Sequence, residues 1–213
     1  TRASQYYQGV SVLPGRLSTT RASRDYQGVS EVTNHLKGSK HPDGGGNNGE
    51  DIFVEEKNYQ YFLYLMGKHL LPVCDVLAYC MLKNHFHLLI RTKEKLIEKN
   101  ISKAFSNLFN AYAKAINKAY NRTGSLFQDR FKRILIEDES YLINLVTYIH
   151  LNPERHGMVN NFRHYKNSSY MEYLGRKPSL VDKEIILSIF HSVENFQAIH
   201  EAKRKTELDL DIN

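Results

Sequence analysis

Two short apolar runs separated by two residues constrain this chain more than any other feature. Val76-Leu-Ala-Tyr-Cys-Met-Leu82 and His85-Phe-His-Leu-Leu-Ile-Arg91 each have the length of a strand, and only Lys83-Asn84 lies between them. So short a connection predicts a β-hairpin, because parallel strands need a long crossover. Alternate residues of a strand share a face. His85 and His87 therefore project side by side, while Phe86 and Leu88 turn the other way into a core.

Helical patterns flank the hairpin. Glu55 to Gly67 carries Tyr59, Phe62, Leu63 and Met66 at helical spacing, and Ile101 to Tyr120 carries Phe105, Leu108, Phe109, Tyr112, Ile116 and Ala119 on one stripe. Gly124 interrupts the second pattern, and Phe131 to Ile136 reads as another strand. Asp138-Glu-Ser140 opens a helix whose apolar face is Leu142, Leu145, Val146 and Ile149, with acids suited to its N-terminus. Pro153 is expected to end it, because the residue before a proline avoids helical geometry. A last helix is expected from about Asp182 to Lys203. The order helix, hairpin, helix, strand, helix predicts an α+β sandwich with helices against an antiparallel sheet.

The beginning of the chain differs in character. Thr1 to Ser11 nearly recurs as Thr20 to Ser30, which is too few copies for a stacked-repeat fold. Lys37 to Gly49 is rich in Gly, Lys and Asn and reads as loop. Residues 1–45 are accordingly expected to be a loosely structured segment.

Hydrophobic residues at 41% and charged residues at 24% are the balance of a globular protein. No apolar stretch is long enough to span a bilayer, and the polar start from Thr1 to Gln8 leads into no secretory apolar region. Cys74 and Cys80 fall in one apolar run with no second pair, which argues against a disulfide framework and a Cys-based zinc site. A cytoplasmic location without membrane partners is expected.

A net charge of +6 favours a polyanionic partner. Lys114, Lys118, Arg122, Arg130, Lys132 and Arg133 face a single acid, Asp129, within one stretch, interleaved with Tyr112, Tyr120, Phe127 and Phe131. Cations neutralise phosphates and aromatic faces stack unpaired bases, so this mixture suits single-stranded nucleic acid. A solvated helix face backed by core aromatics would give the same pattern.

Tyr148 and Asn152 are four residues apart on one helix and share a face, with Tyr141 two turns earlier. Alone, each has an ordinary structural reading, as a boundary tyrosine and a helix-terminating asparagine. Together with His85 and His87 they make chemical sense. A phenol with a pKa near 10 is a poor nucleophile unless its target is activated. A divalent cation on a phosphate oxygen supplies that activation. His85 and His87 can ligate such an ion, and Asn152 can add an oxygen from the helix that carries Tyr148.

At this point a family resemblance emerges. Leu77 to Ile90 resembles the His-hydrophobic-His (HUH) strand of the single-tyrosine transposases, which include insertion-sequence and REP-associated enzymes. Gly124 to Lys132 resembles their basic segment, Tyr141 to Gly157 their tyrosine helix, and Ser168 to Gly175 the segment that follows in REP-associated members. The resemblance implies a ferredoxin-like antiparallel sheet with packed helices, of the HUH endonuclease type. It also implies a catalytic domain over 46–160 and a C-terminal helical extension over 161–213. Tyr148 is then the nucleophile, and His85, His87 and Asn152 hold Mg²⁺ or Mn²⁺. The implied reaction cuts and rejoins single-stranded DNA through a 5′-phosphotyrosine link, at hairpin or palindromic repeat ends. Lys114, Lys118, Arg122, Arg130, Lys132 and Arg133 are the expected DNA contacts, and a homodimer is one expected assembly.

One departure stands out. The family has a strand just before the segment matching Gly46-Asn-Asn48, whereas His35 to Gly44 is not strand-like. Val29 to Val32 or Gly9 to Leu13 would have to replace it through a longer loop. Without a replacement, a decayed or domesticated nucleic-acid binder of the same fold is the alternative. An HUH nickase that cleaves without rejoining is another.

Overall fold

The computed structural model describes residues 29–35, 51–93, 98–127, 132–136 and 138–210. Strand β1 (Val29–His35) leads to helix α1 (Glu56–His69), the hairpin of β2 (Cys74–Met81) and β3 (His85–Thr92), helix α2 (Glu98–Ala119) and strand β4 (Lys132–Leu135). The sheet order is β2-β3-β1-β4, with every neighbouring pair antiparallel. Because β3 lies between them, β1 and β2 run parallel. This is the split βαβ arrangement of the ferredoxin-like fold, as expected.

The strand required before α1 is therefore Val29–His35, reached through the longer connection. It lies inside the 1–45 segment that the sequence sets apart, so the sheet begins before residue 46. The register places Thr33 opposite His87 and His35 opposite His85. The remainder of 1–45 lies outside the described residues.

The hairpin forms as its sequence dictates, with the Leu82 N–H donating to the His85 carbonyl across Lys83-Asn84 (2.8 Å). Phe86 turns away from the histidines and packs on Phe62 of α1 and Phe109 of α2. Phe53, Tyr112 and Phe127 extend this aromatic layer under α1 and α2. Of the stripe expected on α2, Phe105, Leu108, Phe109, Tyr112 and Ile116 are buried, whereas Ala119 at the helix's last position is exposed.

The opposite face of the sheet is covered by α3 (Glu139–Arg155) and the chain that follows it. Asp138 caps α3 by accepting from the Tyr141 N–H, and Leu142, Leu145, Val146 and Ile149 are all buried. The expected stop at Pro153 is corrected, because the helix continues through it to Arg155. The stop is instead a Schellman closure. The Gly157 N–H donates to the Glu154 carbonyl and the Met158 N–H to the Pro153 carbonyl, both at 2.9 Å, with Gly157 at φ +64°. Pro153 sits so close to the end that its missing N–H costs a single bond.

Beyond α3 the chain runs along β2 and covers that edge of the sheet. The Met81 N–H donates to the Asn167 carbonyl, the Ser169 N–H to the Tyr79 carbonyl, and the Asp182 N–H to the Val76 carbonyl. Such cover removes a free edge from aggregation. Three helices follow: α4 (Tyr170–Leu174), α5 (Lys183–Phe190) and α6 (Val193–Leu210). The single last helix expected from Asp182 is thus two. His191 adopts a left-handed conformation (φ 66°), and Ser192 restarts the chain by accepting from the Asn195 N–H (3.0 Å). Cys74 and Cys80 are free and buried. No helix among the described residues is long and apolar enough to cross a membrane.

Candidate active site

The site lies where α3 crosses β3. The His85 and His87 ring centroids are 5.3 Å apart, and both side chains are buried at 7% exposure. Asn84 positions His85 through a 2.9 Å contact between its Oδ1 and the imidazole Nδ1. The half-buried Tyr148 ring meets His87 at a 90° interplanar angle with centroids 5.5 Å apart. Two turns on, the His156 ring lies 5.1 Å from that of His85. Tyr148, Asn152 and His156 are spaced four residues apart and share one face of α3 and its cap. With Tyr148 against His87 and His156 against His85, Asn152 falls between them along the same face of α3.

Asn152 carries the strongest signal in this site. It is 1% exposed, and neither its Oδ1 nor its Nδ2 has a hydrogen-bond partner. A buried amide left unpaired costs roughly 1–3 kcal/mol, so such a group implies something for it to bind. Among the described residues no three His, Cys, Asp or Glu side chains form a metal cluster. An ion here would therefore need the amide oxygen beside the two imidazoles. That donor set fits a divalent cation.

A second, wholly buried network fixes the back of α3. His200 on α6 donates from Nδ1 to the Phe196 carbonyl (2.7 Å), which leaves its Nε2 to accept from His150 Nδ1 (2.9 Å). His150 Nε2 then accepts from the Ser169 hydroxyl (2.8 Å), whose oxygen also accepts from the Tyr79 N–H of β2 (2.9 Å). One proton order satisfies the whole chain with both imidazoles neutral. Burial holds His150 well below the usual histidine range, reinforced by His200. Burial likewise pushes His200 down to about 4, with Arg163 adding to the shift and the Phe196 carbonyl opposing it. Nearer the C-terminus of α3, Glu154 takes a two-oxygen contact from Arg204 Nε (2.7 and 3.0 Å). Helix α3 is thus held to β2 and α6 while its other face meets the histidines.

Tyr148 meets His87, with His85 beside it and Asn152 one turn further along α3, while Tyr141 lies exposed at 37% in the first turn of α3. The basic residues divide differently. Lys114 and Lys118 are exposed on α2, across the sheet from the histidines, and half-buried Arg122 follows that helix. Lys132 and Arg133 belong to β4, two strands from β3, and Arg130 lies outside the described residues. Two neighbours went unread in the sequence. The Arg155 guanidinium lies 4.5 Å from the centre of the Tyr148 ring. His156 lines the histidine pair, its pKa lowered by burial first and then by His87 and Arg155. Extending the Tyr148 and Asn152 spacing by four residues would have found His156.

Residues 54–152 match the family model described as "Transposase IS200 like". Over 105 residues the chain is 28% identical to a Haemophilus influenzae protein that carries the name REP-associated tyrosine transposase. That match takes in 45% of this chain and 58% of the relative, so the chain spans little over half the relative's length. The fold is similar to a solved REP-associated tyrosine transposase bound to a REP hairpin, with a TM-score of 0.57 and 17% identity. The similarity covers 80% of this chain and 94% of that one.

Proposed function

We propose that this chain, whose residues 54–152 match the IS200-like transposase model, cleaves and rejoins single-stranded DNA through a covalent bond to Tyr148. The observation that carries the proposal is the buried, unpartnered Asn152 amide, set on α3 between Tyr148, which meets His87, and His156, which meets His85. A purely structural helix face would gain by replacing that amide with an apolar side chain.

In the proposed reaction the Tyr148 Oη attacks the scissile phosphorus. The Oη–P bond forms, the P–O3′ bond breaks, and the phenolic proton ends on the released 3′-oxygen. The fragment on the 3′ side of the cut remains on the protein through its 5′-phosphate, as a phosphotyrosine diester. One phosphodiester replaces another, so rejoining to a second 3′-hydroxyl needs no ATP. His85, His87 and Asn152 would hold Mg²⁺ or Mn²⁺, which when bound supplies Lewis-acid activation of the phosphate. The imidazoles are already oriented, His85 by Asn84 and both by β3, so little ordering remains on ligation. Helix α3, fixed at its back by His150 and Glu154, keeps the phenol in register with them.

DNA hairpins are the proposed substrate class, supported by the solved relative bound to a REP hairpin. Lys114, Lys118, Arg122, Arg130, Lys132 and Arg133 are proposed to hold the phosphates around it. The test is incubation of the protein with a hairpin oligonucleotide labelled at its 3′ end, with Mg²⁺, Mn²⁺ or EDTA. A labelled adduct that needs the metal is expected. Hairpin binding without an adduct under any metal condition would instead favour a binder of the same fold.

A further inference from the structure

Arg155 occupies the last turn of α3, two turns beyond Tyr148, with its guanidinium over the Tyr148 ring at 4.5 Å. Many such contacts only pack an aliphatic stem. Three features set this one apart. Arg155 is exposed, so DNA can reach it. Its backbone is immobilised by the Schellman closure at Gly157 and by the neighbouring Glu154–Arg204 pair. The next residue, His156, touches His85, so one helical end reaches from the phenol to the histidine pair.

We propose that Arg155 is a catalytic residue whose guanidinium donates to a non-bridging oxygen of the scissile phosphate. The inference rests on Tyr148 being the nucleophile. As the Oη–P bond forms, the phenol loses its proton and negative charge builds on both non-bridging oxygens. His85, His87 and Asn152 would hold a cation that supplies part of the countercharge, and a donor on the phenol side would supply more. A guanidinium is always charged, and when stacked on a ring it presents its N–H groups along its edge. That edge suits a phosphate oxygen arriving beside the phenol.

The experiment compares wild type, Arg155→Ala, Arg155→Met and Arg155→Lys in single-turnover adduct formation on a DNA hairpin, alongside hairpin affinity. Met keeps the stem over the Tyr148 ring and removes the charge, so it stands in if the Ala variant melts early. Loss of the charge is expected to slow adduct formation on the order of 100-fold, as for other transition-state donors. Affinity should stay within about threefold, as expected for the loss of one phosphate contact. Lys should recover part of the rate. Added guanidinium chloride should speed the Ala variant relative to equal sodium chloride. Wild-type adduct formation with an unchanged rate in the Ala and Met variants would overturn the role of Arg155 and leave the strand-transfer reading standing. A slowed rate that neither Lys nor guanidinium restores would also overturn it, since packing alone explains that result. Absence of any wild-type adduct would overturn the strand-transfer reading and this role with it.

Discussion

Tyr148 meets His87 at a right angle, ring centroid to ring centroid in 5.5 Å, so a phenol on α3 and an imidazole on β3 form one unit. This contact separates Tyr148 from Tyr141, which lies exposed near the start of the same helix. Tyr148→Phe keeps the ring and its packing. It is expected to bind hairpin DNA within about threefold of wild type, retaining its phosphate contacts, and to form no adduct. Tyr141→Phe should react normally. Peptide mass spectrometry of the wild-type adduct checks the assignment directly, and DNA attached to Tyr141 would refute it.

The sequence made the hairpin legible because a period of two and a two-residue connection leave few alternatives. The histidine pair followed from the same alternation. β1 was harder to read, since Val29 to His35 begins within a duplicated segment and carries little apolar patterning. It acquires strand geometry from β3 and β4 on either side, and tertiary pairing of that kind is invisible locally. Pro153 misled for a related reason. Near a helix end a proline sacrifices one hydrogen bond, and Gly157 was the true stop signal. Arg155 joins the site because its side chain turns back over the Tyr148 ring, a contact that the four-residue spacing leading to His156 does not announce. Likewise, His150 reads as an ordinary helical residue until Ser169 and His200 are brought to it.

The basic segment leads to a salt-dependence prediction. Replacing Arg130, Lys132 and Arg133 together with Ala should weaken hairpin binding. The slope of log affinity against log salt should fall by about 2 to 3, at 0.7–0.9 per lost phosphate contact. Replacing Lys114 and Lys118, which lie across the sheet, separates a second DNA path from the first. An unchanged slope in the triple variant would place those side chains away from the phosphates.

The buried histidines make stability depend on pH. His200 titrates at about 4 when folded, against an ordinary value near 6.5 when unfolded. The neutral ring therefore contributes stability that is fully present above pH 6.5 and is lost as pH falls toward 4. Between pH 7.5 and 5 the loss from His200 is about 2 kcal/mol, and His150 shifts in the same direction. Urea denaturation at the two pH values measures it. Arg163, which pairs with Glu201 at 2.5 Å, lowers His200 further, and His200 in turn lowers His150. A His150→Leu, His200→Leu double variant should flatten the profile, and a wild-type profile already flat over this range would show that the pair does not stay neutral.

Asn152 offers a test in which stability and function move in opposite directions. Its amide is buried without partners, so the metal-free fold carries an uncompensated desolvation cost. Leu has the same branched shape at Cγ and needs no partner. In EDTA, Asn152→Leu is expected to be about 1–2 kcal/mol more stable than wild type, a rise of several degrees in Tm. Mn²⁺ should raise the Tm of wild type, because a ligand that binds only the folded state stabilises it. It should raise the variant's Tm much less, since one donor is gone. Adduct formation should be lost in the variant although hairpin binding persists. Thermal melts with and without Mn²⁺, paired with the adduct assay, check all three outcomes. If Asn152→Leu instead destabilises the metal-free protein by more than about 1 kcal/mol, the amide is satisfied by the fold. Asn152 would then be a structural residue, and the case for a metal between it and the histidines would lose its main support.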